Sequence, residues 1–239
     1  MRYRVAIDFS TLDMFQMQHG LFRYVVDLIN GFAAIDEPRF SYLVIGSRPE
    51  PIAEIRSSLD NAPDRMTYTY LRRTAGRGKY WLTHLQYRPI VHRFGVSLLH
   101  CPHGFIPAFP GCPIVCTVHD LMKEMFSEYQ ELVQSSAHIV GRWLTRFRVN
   151  RVIAISNTTA ADVSARWEVP KSQIDVVPHG LSPTFASLVG SLSVTSSEIK
   201  QELMILSPYN LEPRKCLHTL LKAFAVLVQT CSARLTLYG

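Results

Sequence analysis

Four short segments of the 239-residue sequence set chemically capable residues next to one another. The first ends in GLFRY, with Gly20 opening a helix-patterned run. A glycine there lets a phosphate approach the backbone, where unpaired N–H groups and the helix dipole favour an anion. A single glycine between strand and helix is equally at home as a plain structural turn. The second, HCPHGFIPAFP, sets His103 among three prolines and reads as a rigid loop with an exposed imidazole. The third, TVHDL, puts His119 and Asp120 directly after an apolar run, where an imidazole can hydrogen-bond a hydroxyl or a reacting oxygen. Neighbours on an extended segment point to opposite sides, so Asp120 is not expected to orient His119 as in a triad. Its place suits a cap on the following helix instead. The fourth, NLEPRK, brings Arg214 and Lys215 to the start of a helix, the reverse of what the macrodipole favours. Either an anion sits between those cations and the helix end, or the segment is a solvated basic turn.

What is missing narrows the chemistry. The sequence contains no GxSxG elbow, no GxxxxGK[ST] loop, no HExxH and no GxGxxG after its first strand. It also lacks a DxD pair to hold a divalent cation on a nucleotide. Phosphate chemistry would have to use arginine, lysine and helix dipoles.

The elements that must position these loops alternate. Apolar β-branched runs at Arg4–Asp8, Phe40–Ile45, Met66–Leu71, Ser97–His100, Pro113–Val118, Arg151–Ile155 and Ile174–Val177 read as strands. Between them, Gly20–Ala34, Lys79–Phe94, Glu128–Asn150 and Asn157–Trp167 carry helical periodicity. This βαβα rhythm predicts a mostly parallel sheet covered by helices on both faces, with ligands at the carboxyl ends of the strands. Residues 182–200, rich in Ser and Thr, read as a linker. The rhythm restarts with strands at Glu202–Leu206 and Arg234–Tyr238 around a helix at Leu217–Gln229. The expected organisation is a Rossmann-like domain over 1–181, the linker, and an incomplete second one over 201–239.

Composition agrees with a folded α/β protein: 47% hydrophobic and 18% charged residues, with a net charge of +6. No apolar run approaches the ~20 residues of a membrane span, and MRYRVAIDFS reads as a buried first strand rather than a signal peptide. The five cysteines lack metal-ligand spacing, so free thiols in a reducing cytosol are expected, with no metal site. Two basic clusters interleave with aromatics: Arg72, Arg73, Arg77 and Lys79 before Tyr80 and Trp81, then Arg142 to Arg151 around Trp143 and Phe147. They suit an anionic lipid surface. For the second cluster the alternative is that Trp143, Leu144 and Phe147 face the core. Nothing resembles a nucleic-acid module.

In order and spacing, these segments resemble the retaining GT-B glycosyltransferases of family 4. IDFSTL followed by GLFRY is similar to the family's first strand and glycine loop. LLHCPHGFIP with PIVCTVHDL resembles its paired central strands, and RVIAISNTTAADV with IDVVPHGL its strand–helix and hinge. LSPYNLEPRKCLHTLLKAFAVL resembles the opening of its nucleotide-binding domain. The resemblance implies transfer of a hexose, mannose being the narrower expectation, from a nucleotide-sugar donor to a saccharide or lipid-linked acceptor. It further implies retention, no cofactor or obligatory metal, cell-surface polysaccharide synthesis, and a cytoplasmic place with peripheral contact on the inner membrane face. Gly20 would lie near the donor phosphates, His119 would contact the donor sugar, and Arg214 and Lys215 would stabilise the leaving pyrophosphate. His103 and Asp120 would be acceptor-side candidates. Tyr209 and Cys216 depart from the family's small residues at those positions. The family's paired glutamates fall beyond the last residue, so the resemblance implies a truncation within the C-terminal domain. The alternative function is a non-catalytic remnant or partner-binding module of the same fold; an unrelated nucleotide-binding α/β enzyme would leave the ordered motifs unexplained.

Overall fold

The computed structural model describes residues 2–10, 20–72, 80–125, 136–182, 185–188, 202–208 and 215–238. The chain divides into two compact units, Met1–Ser182 and Pro183–Gly239. In the first, strands β1 (Tyr3–Asp8), β2 (Phe40–Gly46), β3 (Met66–Tyr70), β4 (Leu98–Cys101), β5 (Ile114–Val118), β6 (Arg151–Ala154) and β7 (Ile174–Val176) form one sheet. Every pairing is parallel, in the order β3-β2-β1-β4-β5-β6-β7.

That order explains where the helices lie. From β1 the chain steps outward to β2 and β3, then returns past β1 to β4 and proceeds the other way. Parallel crossovers are right-handed, so reversing the direction of travel moves the connecting helices to the opposite face. Helices α1 (Gly20–Ala34) and α2 (Ala53–Asn61) therefore share one face, where Phe22, Val25, Ile29 and Ile55 pack on Ile7, Phe9 and Val44. Helices α3 (Tyr80–Phe94), α5 (Ser136–Arg148) and α6 (Asn157–Arg166) share the other, where Tyr87, Val91, Leu144 and Val163 pack on Ala6, Leu43, Leu99 and Val152. A four-residue helix, α4 (Met122–Met125), precedes α5. The period-two alternation of strand side chains splits each strand between the faces, as Ala6 against Ile7 and Leu43 against Val44 show. Each fully buried aliphatic side chain of this kind contributes about 1.5–3 kcal/mol.

Element ends follow local chemistry. Ser156 accepts the N–H of Thr159 at 3.1 Å and caps α6, while Gly95, at φ +60°, terminates α3.

Two points of the sequence reading need correction. Helix α2 was not anticipated, because AEIRSSLDN buries Ile55 alone and shows too short an apolar stripe. Trp143 and Phe147 do not face the core: each is 55% exposed, whereas Leu144 is buried. All five cysteines are free, and burial pushes the Cys116 thiol up to about 12.

The second unit pairs β8 (Leu203–Pro208) in parallel with β9 (Ala233–Tyr238), with α7 (Leu217–Leu227) between them in sequence. Its apolar side chains stand largely exposed, Leu206 and Val226 among them. The expected linker lies mostly outside the described residues, although 185–188 are helical. Among the described residues, no helix is long and apolar enough to cross a membrane.

Candidate functional site

The strand order reverses between β1 and β4. In open parallel sheets the crevice at the carboxyl edge beside such a reversal is where ligands bind. In this chain that edge carries a dense polar cluster.

Its deepest member is Asp8, the last residue of β1, fully buried. The backbone N–H and the hydroxyl of Ser10 both donate to Asp8 Oδ1, at 3.0 and 2.7 Å. Tyr87, from α3, donates its hydroxyl to Oδ2 at 2.7 Å. His103 Nε2 faces the same oxygen at 3.3 Å. Burial alone would push the Asp8 carboxyl up, but His103, Tyr87 and Ser10 together outweigh it and hold it below its ordinary value. Asp8 is therefore an ion at neutral pH, and Tyr87 is kept protonated by burial and by that charge.

A second layer lies on the β5 side. His100 Nε2 and Thr117 Oγ1 are 2.9 Å apart, and the Tyr24 hydroxyl lies 3.5 Å from the same threonine. Burial drives His100 down to about 4, with His103 and His119 adding to the effect. His119, just past β5, is pinned from several sides. Its Nε2 lies 2.9 Å from the Pro102 carbonyl, which fixes the Nε2–H tautomer. Thr159 donates its hydroxyl to the His119 carbonyl at 3.2 Å. The Tyr24 ring meets the imidazole edge-on at 4.8 Å. The remaining Nδ1 lies 3.4 Å from His179 Nε2, and the two rings stack at 5.3 Å. Burial lowers the His119 pKa, the Pro102 carbonyl partly opposes this, and His179 reinforces it; burial also lowers His179. His100, His119 and His179 are thus neutral at pH 7. Neutral imidazoles with one donor and one acceptor suit hydroxyl groups better than phosphates.

The sequence-derived candidates fall into two sets. Gly20, His103, His119 and Asp120 lie in the first unit. Gly20 is exposed at the start of α1, four residues before Tyr24, so the helix that could receive an anion also supplies the ring beside His119. Asp120 accepts the N–H of Met122 at 3.1 Å, at the start of α4. His103 corrects an expectation: its side chain is only 2% exposed, because the turn at Gly104 (φ +80°) directs the ring inward to Asp8. Lys215 is exposed in the second unit, just before α7, and Arg214 lies outside the described residues. Among the described residues, no three His, Cys, Asp or Glu side chains are grouped to hold a metal ion.

The sequence reading did not single out Asp8, Tyr24, Tyr87, His100 or His179. An acid closing the apolar run VAID was a usable signal for Asp8, and Tyr24 follows Gly20 at one helical turn. Tyr87 had none, since it meets Asp8 across 79 residues.

A family model described as Glycosyltransferase Family 4 matches residues 19–185. Among solved structures, the chain is similar to a glycosyltransferase from Rickettsia africae, at 11% identity and TM-score 0.51, covering all of this chain and 69% of that one. It is also similar to S. aureus MnaA, solved with UDP, at 12% identity and TM-score 0.51, covering 99% and 62%. A third is the N-terminal domain of Candida albicans trehalose-6-phosphate phosphatase, at 11% identity and TM-score 0.50, covering 99% and 65%. The chain thus spans between 62% and 69% of the length of these structures. At such identities the likeness is one of fold. Among curated proteins, none matches.

Proposed function

Because the chain belongs to glycosyltransferase family 4 and has the α/β architecture of the GT-B fold, we propose that it serves hexosyl transfer from a nucleotide sugar to a saccharide or lipid-linked acceptor. The observation that carries this reading is the family match over residues 19–185, which includes the carboxyl-edge residues from Gly20 to His179, though not Asp8 and Ser10. In this reading the bond from the anomeric carbon to the donor phosphate oxygen breaks and a bond to the acceptor oxygen forms on the same face, with retention. The acceptor hydroxyl proton leaves with the phosphate. His119, neutral and partly exposed, presents Nδ1 to a donor-sugar hydroxyl. Gly20 receives the donor phosphates at the α1 N-terminus. Arg214 and Lys215 meet the charge that grows on the leaving pyrophosphate, which stabilises the transition state more than the ground state. No metal or cofactor is required, a reading supported by the lack of a DxD pair. Mannose from a GDP donor, a role in surface polysaccharide synthesis, and peripheral contact with an anionic membrane complete the proposal.

The test is transfer and hydrolysis of a panel of UDP-, GDP- and ADP-hexoses in the presence of a chelator. One donor is expected to bind; turnover by this chain alone is expected to be slow, because the donor site implied by the resemblance is incomplete, and His119→Ala should lower it by about 100-fold, the usual cost of one positioned polar contact. A panel with neither binding nor turnover would overturn the reading. Binding without turnover would favour the non-catalytic module.

A further inference from the structure

At the amino edge of its sheet, opposite the edge that holds His119, the first unit has an open cleft of about 520 Å³. Ile114, which opens β5, and Asn150, just before β6, line it together with Phe109, Arg88 and Arg148. Strand β5 runs between this cleft and His119, which separates the two by roughly 16 Å at the rise of an extended chain. The volume is in the range that holds a small molecule.

Its walls are set by hydrogen bonds along the connection from β4 to β5. Ala108 gives its N–H to His84 Nδ1 at 3.1 Å, and its carbonyl accepts Nε and Nη2 of Arg148, each at 3.3 Å. The same guanidinium lies over the Phe109 ring at 4.6 Å, a ring that is 63% exposed. Held by that edge, Arg148 leaves Nη1 and the outer N–H of Nη2 as an open fork. Asn150 is oriented in a similar way. Its Oδ1 accepts the Ile114 N–H at 2.9 Å, so its amide N–H groups are the part left for a ligand. The turn at Gly111 runs beside the Arg88 stem, where an added Cβ would lie 3.7 Å from Cγ.

The charge of the cleft is one-sided. Among the described residues no Asp or Glu lines it, and neither Arg88 nor Arg148 pairs with a carboxylate. Other arginines of α5 are matched: Glu168 pairs with Arg146, and Glu124 lies 3.7 Å from Arg142. Cys112, also on the lining, brings no negative charge, because burial pushes its thiol up to about 11. Two cations set in an otherwise largely apolar wall concentrate a positive potential where an anion would enter.

We propose that this cleft is a second binding site, for a small phosphate monoester with a flat apolar body: the phosphate meets Arg88 and the Arg148 fork, and the body lies along Phe109. Two guanidinium groups without counter-charges match the nearly double negative charge of a phosphate monoester better than the single charge of a carboxylate. The Asn150 amide adds a donor to the same oxygens. Phe109, with Pro110 beside it on the lining, gives the body an apolar wall that a bare anion would not use. The site shares no residue with the transfer reading and does not rest on it.

The experiment is calorimetric titration of the full chain at neutral pH with phenyl phosphate, inorganic phosphate and benzoate, without any sugar donor. Phenyl phosphate is expected to bind most tightly of the three, and more weakly as salt is added. Arg88→Gln should weaken it about tenfold or more, the worth of a hydrogen bond to a charged group. Its urea melt should match the wild type, because Arg88 is exposed and pairs with no carboxylate among the described residues. Phe109→Ala should weaken phenyl phosphate more than inorganic phosphate. A location readout comes from maleimide labelling followed by peptide mass: phenyl phosphate should slow the reaction of Cys112 and leave that of the exposed Cys231 unchanged. Absence of phenyl phosphate binding at millimolar concentration would overturn the proposal. Binding that Arg88→Gln leaves unchanged, or that fails to protect Cys112, would place the anion elsewhere, the α1 N-terminus included, and overturn it equally. Inorganic phosphate or benzoate binding as tightly as phenyl phosphate would overturn the ligand class. None of these outcomes touches the donor assay.

Discussion

The substitution Tyr87→Phe tests whether the carboxyl-edge cluster is organised around an ionised Asp8. Tyr87 is fully buried and its hydroxyl lies 2.7 Å from Asp8 Oδ2. Phenylalanine fills the same space, so the change deletes a hydrogen-bond donor without opening a cavity. A hydrogen bond to a charged group in a buried site is worth about 1.5–3 kcal/mol, and about 2 kcal/mol is expected at neutral pH. The pH dependence separates this from a generic loss. Asp8 has a folded pKa below its ordinary value, so its contribution is complete above the unfolded carboxylate range and is lost as pH falls through the folded pKa. Removing the donor raises the folded pKa of the variant. The gap between the two proteins should therefore be widest at pH 7 and flat down to about pH 5, then narrow as the carboxyl protonates. Urea melts followed by tryptophan fluorescence read the first unit alone, because Trp81, Trp143 and Trp167 all fall within it. A gap below about 0.5 kcal/mol at pH 7, or one that stays constant through the acid range, would refute the charged hydrogen bond.

Other predictions use the same chain. His100 is driven down to about 4 by burial, so the unfolded state takes up a proton first as pH falls; stability should drop by about 2 kcal/mol between pH 7 and 5, and His100→Gln should flatten that slope in urea melts. His179 occupies the position at His119 Nδ1 that a donor hydroxyl would need. His179→Ala should therefore tighten donor binding by about two- to tenfold, the worth of one hydrogen bond; weaker binding in calorimetry would instead make His179 a ligand. Lys215→Ala should lower kcat far more than it raises KM in the transfer assay, because its charge is needed most as the pyrophosphate departs.

The central strands were legible in the sequence because they are buried on both faces and read as continuous apolar runs, as in YLVI of β2. Helix α2 was not, since its own sequence is mostly polar and only Ile55 is fixed by the core. At the carboxyl edge, position along the chain was enough to mark His119 and His103. Depth was not: whether His103 faces water or Asp8 depends on the Gly104 turn and on Tyr87, which comes from another helix. Helical spacing flagged Trp143, Leu144 and Phe147 together, but periodicity alone cannot say which of two apolar faces is the inner one.

Depth also divides labour within the edge cluster. Asp8 has no exposed surface and is engaged by Ser10, Tyr87 and His103, so it cannot touch a ligand without losing the partners that keep it ionised. The His103 side chain is nearly as deep. Their effect must be on position: they fix the end of β1 and the loop after β4, whose Pro102 carbonyl in turn sets the tautomer of His119. His119 is different. One ring nitrogen is held by backbone, while the other makes only a long contact to the exposed His179. A ligand hydroxyl can replace that contact at small cost, whereas it could displace nothing from Asp8 cheaply. The ionised carboxylate is therefore the anchor of this edge, and the neutral imidazole two strands further along is the group placed to meet what binds there.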